Sequence, residues 1–360
     1  MGAGIWVAGC MSGTSLDGVD VAMIRTDGVS LFEAGDHVFR PYSEAEQAVL
    51  RAALGSWDAP SEVTELIETA HAEALSHLDG YELIGFHGQT LAHDPANRRT
   101  YQAGDGSILA EVLGAPVVWD FRTADVQMGG QGAPLAPFYH HALARVAGLD
   151  APVVIVNLGG VGNMTYVDPR IADPVNPAAL LAFDTGPANA PINDLMRDRM
   201  GRAFDEGGAV AALGAVNADI VADFLTAPFF AKMPPKSLDR NDFHALLASV
   251  AELDDAGAIA TLTACVSASV AASLNHCPHK PSALYVTGGG RHNDTLMAML
   301  TRDTGLHVAP IEDLGFDGDM LEAQAFAFLA ARVLNGLATS APSTTGVSAA
   351  IGGGRVSRPT

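Results

Sequence analysis

Gly9-Cys10-Met11-Ser12-Gly13-Thr14-Ser15-Leu16-Asp17-Gly18-Val19-Asp20 is the stretch that decides the fold. From Met11 to Asp20 it holds three hydroxyls, two glycines and two carboxylates in ten residues. Glycines let backbone N–H groups turn toward an oxyanion. The hydroxyls add donors, and Asp17 and Asp20 suit Mg²⁺, directly or through water. The spacing of Gly13 and Gly18 mimics a Walker A loop, but Val19 and Asp20 stand where Lys and Ser/Thr belong. Residues 5–8 read as a short buried strand, and 19–26 alternate with a two-residue period. Two strands therefore flank the loop, where a P-loop has a strand and a helix. The stretch reads as a phosphate-gripping hairpin, against the plainer reading of an ordinary glycine-rich turn.

Further along, the same order returns. Residues 29–39 extend the first set as a third strand. In the second set a strand at 153–156 runs into Asn157-Leu158-Gly159-Gly160-Val161-Gly162-Asn163, followed by strands at 164–167 and 180–183. Internal duplication of a strand, glycine turn, strand, strand unit is a fold-level signal. It predicts an α/β chain of two similar halves facing across a cleft, each half aiming a hairpin into it. Helices are expected to open at Ser43-Glu44-Ala45-Glu46, a capping box, and at Pro60-Ser61-Glu62. Others are expected at 188–200, 215–225, 242–251, 256–275, 293–304 and 319–334, with strands at 83–86, 117–120, 283–286 and 307–309.

The 360 residues suit two domains. Apolar residues make up 48%, and the 38 glycines exceed the ~25 of average usage, in clusters. A net charge of −21 repels nucleic acid and anionic membranes. It leaves room for a nucleotide held by local donors and Mg²⁺. Cys10, Cys265 and Cys277 form no disulfide framework, which points to a reducing cytoplasm. His276-Cys277-Pro278-His279 lacks a second ligand pair and reads as a helix-end loop. Val7-Ala8-Gly9-Cys10 mimics a lipoprotein box without its basic start, and no apolar run reaches membrane-span length, so no membrane partner is expected.

Three further groups carry chemistry. Thr287-Gly288-Gly289-Gly290-Arg291 follows a strand and precedes a helix, a placement that suits the purine and ribose of a nucleotide. Phe183-Asp184-Thr185-Gly186-Pro187-Ala188-Asn189 ends a strand and starts a helix, which makes Asp184 a candidate general base. The competing reading is helix capping by Asp184 or Thr185. Phe86-His87-Gly88-Gln89-Thr90 and Asp120-Phe121-Arg122 gather His, Gln, Asp and Arg at strand ends, the makeup of a polyol site, with Arg122 able to pair with an anion.

With those motifs quoted, the chain resembles the 1,6-anhydro-N-acetylmuramic acid kinase family. The resemblance rests on the first hairpin together with Phe86-His87-Gly88-Gln89-Thr90, Gln102-Ala103-Gly104-Asp105, Asp120-Phe121-Arg122 and Gly129-Gly130-Gln131-Gly132-Ala133-Pro134-Leu135. It continues through Asn157-Leu158-Gly159-Gly160, Phe183-Asp184-Thr185-Gly186-Pro187 and Thr287-Gly288-Gly289-Gly290, in family order. It implies an actin-like, hexokinase-type fold of two ribonuclease-H-like domains, taken here as 1–135 and 136–335, with 336–360 packing back on the first. It implies ATP, Mg²⁺, a homodimer, and hydrolytic opening of the anhydro ring with phosphorylation of O6. Asp184 is then the base. Residues 13–20, Asn157, Gly159 and Gly160 hold phosphates, Asp17 and Asp20 hold the metal, and Gly288, Gly289 and Gly290 flank the adenosine. His87, Gln89, Thr90, Gln102 and Asp120 face the sugar, helped by Arg122.

Two segments depart from the family pattern. Leu238, Asp239 and Asn241 differ within 234–243, and Phe204-Asp205-Glu206-Gly207-Gly208 is slightly altered. Two other readings stay open: a kinase for another anhydrosugar such as levoglucosan, and a non-catalytic nucleotide-binding module. A pure binder has no need of a base, so Asp184 argues against the second.

Overall fold

The structure, a computed structural model, describes residues 4–238 and 243–360; Asp239 and Asn241 of the departing loop lie outside the described residues. The apolar runs and alternations become twelve strands among them. These are β1 (Ile5–Ser12), β2 (Gly18–Thr26), β3 (Leu31–Pro41), β4 (Leu83–Asp94), β5 (Arg99–Ala103), β6 (Val117–Trp119), β7 (Val153–Leu158), β8 (Val161–Val167), β9 (Leu180–Pro187), β10 (Ala283–Thr287), β11 (His307–Pro310) and β12 (Arg355–Ser357). They form two sheets, β12-β6-β4-β1-β2-β3 with β5 paired to β4, and β11-β10-β7-β8-β9.

The duplication is explicit in the pairing. In the first sheet β1 runs antiparallel to β2, β2 antiparallel to β3, and β4 and β6 follow in parallel. In the second, β7, β8 and β9 alternate in direction and β10 and β11 follow in parallel. The same order and the same directions, with helices joining the parallel strands, make this the duplicated ribonuclease-H-like arrangement of the actin-like α/β fold.

The chain divides into two compact units. One comprises the described residues to Gly148 with Asp173–Pro177 and Met320–Thr360; the other comprises Leu149–Ala172 and Ala178–Asp319. The division thus falls later than 135/136. Helix Leu321–Leu334, expected with the second half, belongs to the first unit. The reason lies in two glycines on the first sheet. A Cβ on Gly9 would sit 2.0 Å from the Ala323 carbonyl oxygen, and one on Gly85 would sit 2.3 Å from that of Phe326. Only bare backbone lets the helix lie this close to β1 and β4. Helix Pro137–Val146 joins the same packing, and Tyr139 donates to Gln324 Oε1 at 2.7 Å. Arg332, nearly fully buried, donates to the carbonyls of Gly28 and Ala338 and lies over the Phe138 ring. Residues 336–360 follow it into the first unit, ending in β12 beside β6.

In the second unit, helix Asp255–Ser273 and its extension to His276 are long and apolar enough to cross a bilayer, but 78% of that stretch is buried inside the protein. It is a core helix. Its hydroxyls are satisfied locally: Thr261, Thr263 and Ser273 each donate to the carbonyl four residues back. His276-Cys277-Pro278-His279 ends this helix, and no cluster of three or more metal-ligating side chains occurs among the described residues.

Two predictions follow from the packing of the first unit. Gly9→Ala forces β1 and the helix apart and should lower stability by about 1–3 kcal/mol or more in denaturant titration, with the same loss at Gly85→Ala. His71 and His140 are buried and held neutral, their pKa values pushed down to about 4 by burial. The unfolded chain takes up protons on them near pH ~6.5, while the folded chain refuses them until far lower. Stability is therefore intact above that range and falls as pH drops toward 4, by about 2 kcal/mol per histidine at pH 5. Removing the imidazole in His71→Phe should flatten the acid dependence by that amount.

Candidate functional site

The first hairpin joins β1 to β2, with Met11 opposite Asp20 in the register. Leu16 takes a left-handed φ of 60° and buries its side chain, as does Val19, so these two residues offer only main chain to a ligand. Gly18 is glycine because a Cβ would lie 2.5 Å from the Arg40 carbonyl oxygen, whereas Gly13 is open. Thr14, Ser15 and Asp17 are exposed at the tip. Asp17 Oδ1 accepts from Ser15 Oγ at 2.7 Å and from the Gly18 N–H at 3.1 Å, which leaves Oδ2 without a partner. Asp20 sits further down, half-buried in β2.

Gln89 is placed otherwise than at an open rim. It is fully buried, its Nε2 donates to the Gly13 carbonyl at 3.2 Å, and its Oε1 accepts from Ser12 Oγ. Ser12 Oγ also meets Tyr42 Oη at 3.0 Å. The side chain therefore braces the hairpin from beneath.

His87 is buried on β4. Its Nε2 receives the Arg122 Nε–H at 2.9 Å. Arginine only donates, so Nε2 carries the lone pair and Nδ1–H donates to the Gly88 carbonyl at 2.7 Å. Burial, helped by the Arg122 charge, holds the His87 pKa well below the usual value. Arg122 Nη1 donates to the Gly132 carbonyl at 2.6 Å, and the guanidinium lies 5.9 Å from the Phe326 ring centre. Both its hydrogen-bond partners are neutral, and it makes no ion pair among the described residues. Burial pushes its pKa down to about 10 against the opposing charges of Glu322 and Asp125. Thr90 accepts from Gln102 Nε2 at 3.1 Å, and Gln102 also donates to Thr100, which meets His93. Asp120, at a left-handed φ of 59°, pairs with Arg355 of β12 at 2.9 Å.

In the second unit the hairpin between β7 and β8 is tied to the start of helix Asn189–Met200. The Gly159 carbonyl accepts from the Asn189 N–H at 2.8 Å, that of Gly160 from the Ala188 N–H at 3.0 Å, and that of Leu158 from Asn189 Nδ2 at 2.8 Å. A Cβ on Gly288 would meet Asn157 Oδ1 at 2.3 Å, and one on Gly290 would meet Leu158 Cβ at 2.5 Å. These two glycines let the loop ride on the hairpin. Gly289 is the open one, lining a cavity of about 260 Å³ with Asn189, Asn193, Phe204, His292 and Asn293. Arg291 fixes this loop through the Gly288 carbonyl, Glu312 and Asp319.

Asp184 lies within β9, opposite Asn163, and the strand runs on to Pro187, past the end expected from the sequence. Its N–H donates to the Lys236 carbonyl at 3.0 Å, and its Oδ2 accepts from the Leu238 N–H at 2.8 Å. Burial pushes the carboxyl pKa up to about 6, opposed by the Leu238 bond. Helix capping does not account for Asp184 or Thr185. The helix at Asn189–Met200 has no side-chain cap, and Thr185 Oγ1 is buried with no hydrogen-bond partner among the described residues. The sequence motifs gave no role to Lys236, Leu238, Asn189 or Glu322, because each acts through a contact distant in the chain.

A sequence profile described as anhydro-N-acetylmuramic acid kinase matches residues 5–357. The anhydro-N-acetylmuramic acid kinase of Cereibacter sphaeroides is 63% identical over 361 residues, 99% of this chain and 97% of that protein. Its counterpart in Ruegeria sp. is 59% identical, covering 98% of this chain and 94% of its own length. The one in Roseobacter denitrificans is 55% identical, covering 99% and 95%. The chain therefore belongs to the anhydro-N-acetylmuramic acid kinase family.

Proposed function

We propose that the chain uses ATP and water to convert 1,6-anhydro-N-acetylmuramic acid into N-acetylmuramic acid 6-phosphate and ADP, a step of peptidoglycan recycling. The observation that carries this reading is Asp184: a half-buried carboxylate with one oxygen fixed by a main-chain N–H and a pKa pushed up by burial to about 6. That is the description of a general base for water.

In this mechanism Asp184 takes a proton from water as the water oxygen bonds to C1. The C1–O6 bond breaks, relieving the strained anhydro ring. O6 then bonds to the γ-phosphorus as the bond to ADP breaks, and Asp184 releases its proton to solvent. Phosphoryl transfer asks for positioning and charge stabilisation more than covalent help. The N–H groups of the two hairpins supply donors for the phosphates. Gly289, Phe204 and the asparagines around them fit a nucleoside base and ribose. Arg122, held by neutral acceptors only, suits the lactyl carboxylate, a group that levoglucosan lacks. Thr90 on β4 and Gln102 on β5 are offered to the sugar hydroxyls, while His87, with both ring nitrogens engaged by Arg122 and Gly88, serves the sugar only by orienting Arg122. Asp120 in this reading is held by Arg355, and Gln89 serves the phosphates through the hairpin.

Asp17 and Asp20 are oxygen donors of the kind Mg²⁺ takes, and the absence of a cluster of three or more ligating side chains among the described residues suits an ion that keeps waters and phosphate oxygens. Bound there, it would neutralise charge on the phosphates. The same reading carries over a cytoplasmic homodimer from the family resemblance.

Mass spectrometry of the product formed in H₂¹⁸O tests both halves of the reaction: label at C1 with phosphate on O6 is expected. Phosphorylation of levoglucosan alone would reverse the substrate, and tight ATP binding without turnover of any anhydrosugar would favour a binding module. Asp184→Asn should lower kcat by ~10²–10⁴ with sugar still bound. Since the base must be ionised, wild-type kcat should fall away below about pH 6. Arg122→Met should raise KM for the muramyl substrate by about 10-fold or more with little change in KM for ATP, as measured by coupled ADP release.

A further inference from the structure

Lys236 is a buried lysine with no carboxylate beside its ammonium among the described residues. It is 7% exposed, and among the described residues its ammonium donates only to the Phe229 carbonyl, at 3.3 Å. Its Nζ lies 4.6 Å from the ring centre of Phe229 and 5.5 Å from that of Phe183. It makes no ion pair among the described residues. Burying an ammonium this way is unfavourable, and a methionine would fill similar volume without the penalty. What the charge does supply is direction: an N–H···O bond and two ring faces hold one rotamer. Phe229 is itself fixed, edge-on against Phe230 and Phe243.

The main chain of this same lysine touches Asp184. Lys236 C=O accepts the Asp184 N–H, and two residues later Leu238 N–H donates to Asp184 Oδ2. One turn therefore grips both the backbone and the carboxylate of residue 184. The grip leaves Oδ1 as the oxygen available to a proton.

We propose that Lys236 is the positioning residue for Asp184, its ammonium pinning between Phe183 and Phe229 the turn that orients the carboxylate and selects the oxygen that acts. This rests on the reading of Asp184 as the base. The titratable side chains bearing on this corner are Lys236 and His276, both against the Phe183 ring, and Lys232, whose charge acts on Lys236; Asp184 makes no ion pair among the described residues. The Leu238 N–H is therefore the one polar contact that holds the carboxyl pKa down against burial.

The test is kcat, and KM for ATP, against pH from about 5 to 9 for Lys236→Met, Lys236→Arg and Leu238→Pro, each shown by circular dichroism to be folded. Leu238→Pro deletes the N–H donor itself, so it carries the test should Lys236→Met fail to fold. Lys236→Met should lower kcat by about 10- to 100-fold with KM for ATP within about twofold. It should also move the acidic limb upward from about 6 toward about 7. Leu238→Pro should move the limb likewise, and Lys236→Arg should largely restore both readouts. A Lys236→Met enzyme whose acidic limb stays in place, at full or reduced kcat, overturns the proposal. The carboxyl titration of Asp184, followed by ¹³C NMR in wild type and Lys236→Met, reads the grip without turnover. An upward move there together with near-normal turnover of Asp184→Asn would keep the grip and reject the base. An unmoved titration with an inactive Asp184→Asn would do the reverse.

Discussion

The close approach of one helix to two glycines organises the first unit. Leu321–Leu334 lies on β1 and β4 at Gly9 and Gly85 with no side chain between the backbones. Dispersion and burial over such a contact depend on distance so steeply that a single methyl group would disrupt it. The helix is thereby registered against the strands that end in the phosphate hairpin and in His87. Phe326, on the same helix, presents its ring to His87, Phe121 and Arg122. A carboxylate from its first turn, Glu322, adds its field to Arg122 and Asp17. Much of the sugar-side chemistry is thus arranged by residues about two hundred positions away in the chain.

The two hairpins share a topology and differ in what supports them. The first is braced from below by side chains: Gln89, Ser12 and Tyr42 hold the Gly13 end, and Leu16 plugs into the core. The second is braced by main chain, its carbonyls taken up by the N–H groups at the start of Asn189–Met200 and its flank packed by Gly288 and Gly290. Duplication preserved the sheet order, while the loops acquired separate supports. A glycine-rich turn alone is conformationally loose. In both units that freedom is removed by buried hydrogen bonds.

What was legible in the sequence was local. Apolar runs, alternation and glycine turns gave ten of the twelve described strands near their observed positions, and the Ser43 capping box forms as read, its side chain accepting from the Glu46 N–H. Asp184 was legible as a carboxylate on a glycine-flanked strand, although the strand continues past it to Pro187. The contacts that were not legible join distant positions. Nothing in Asp120-Phe121-Arg122 signals Arg355, and nothing around Gln89 says that its amide faces inward toward Gly13. Helix Leu321–Leu334 was assigned to the wrong half because its partner strands are the first and fourth in the chain. Glycines were read as ligand cradles, yet Gly18, Gly288 and Gly290 have steric reasons of their own.

The division of the chain also sets an order of events during synthesis. The second unit is nearly one continuous segment, Leu149–Ala172 with Ala178–Asp319, inserted into the first. It holds all its strands before the ribosome has made helix Leu321–Leu334. The first unit must meanwhile keep β1 and β4, with their bare glycine face, uncovered. At about 5–20 residues per second, the roughly 170 intervening residues delay its missing helix by ~10–30 s. During that interval the nascent first sheet is a hydrophobic surface in search of cover.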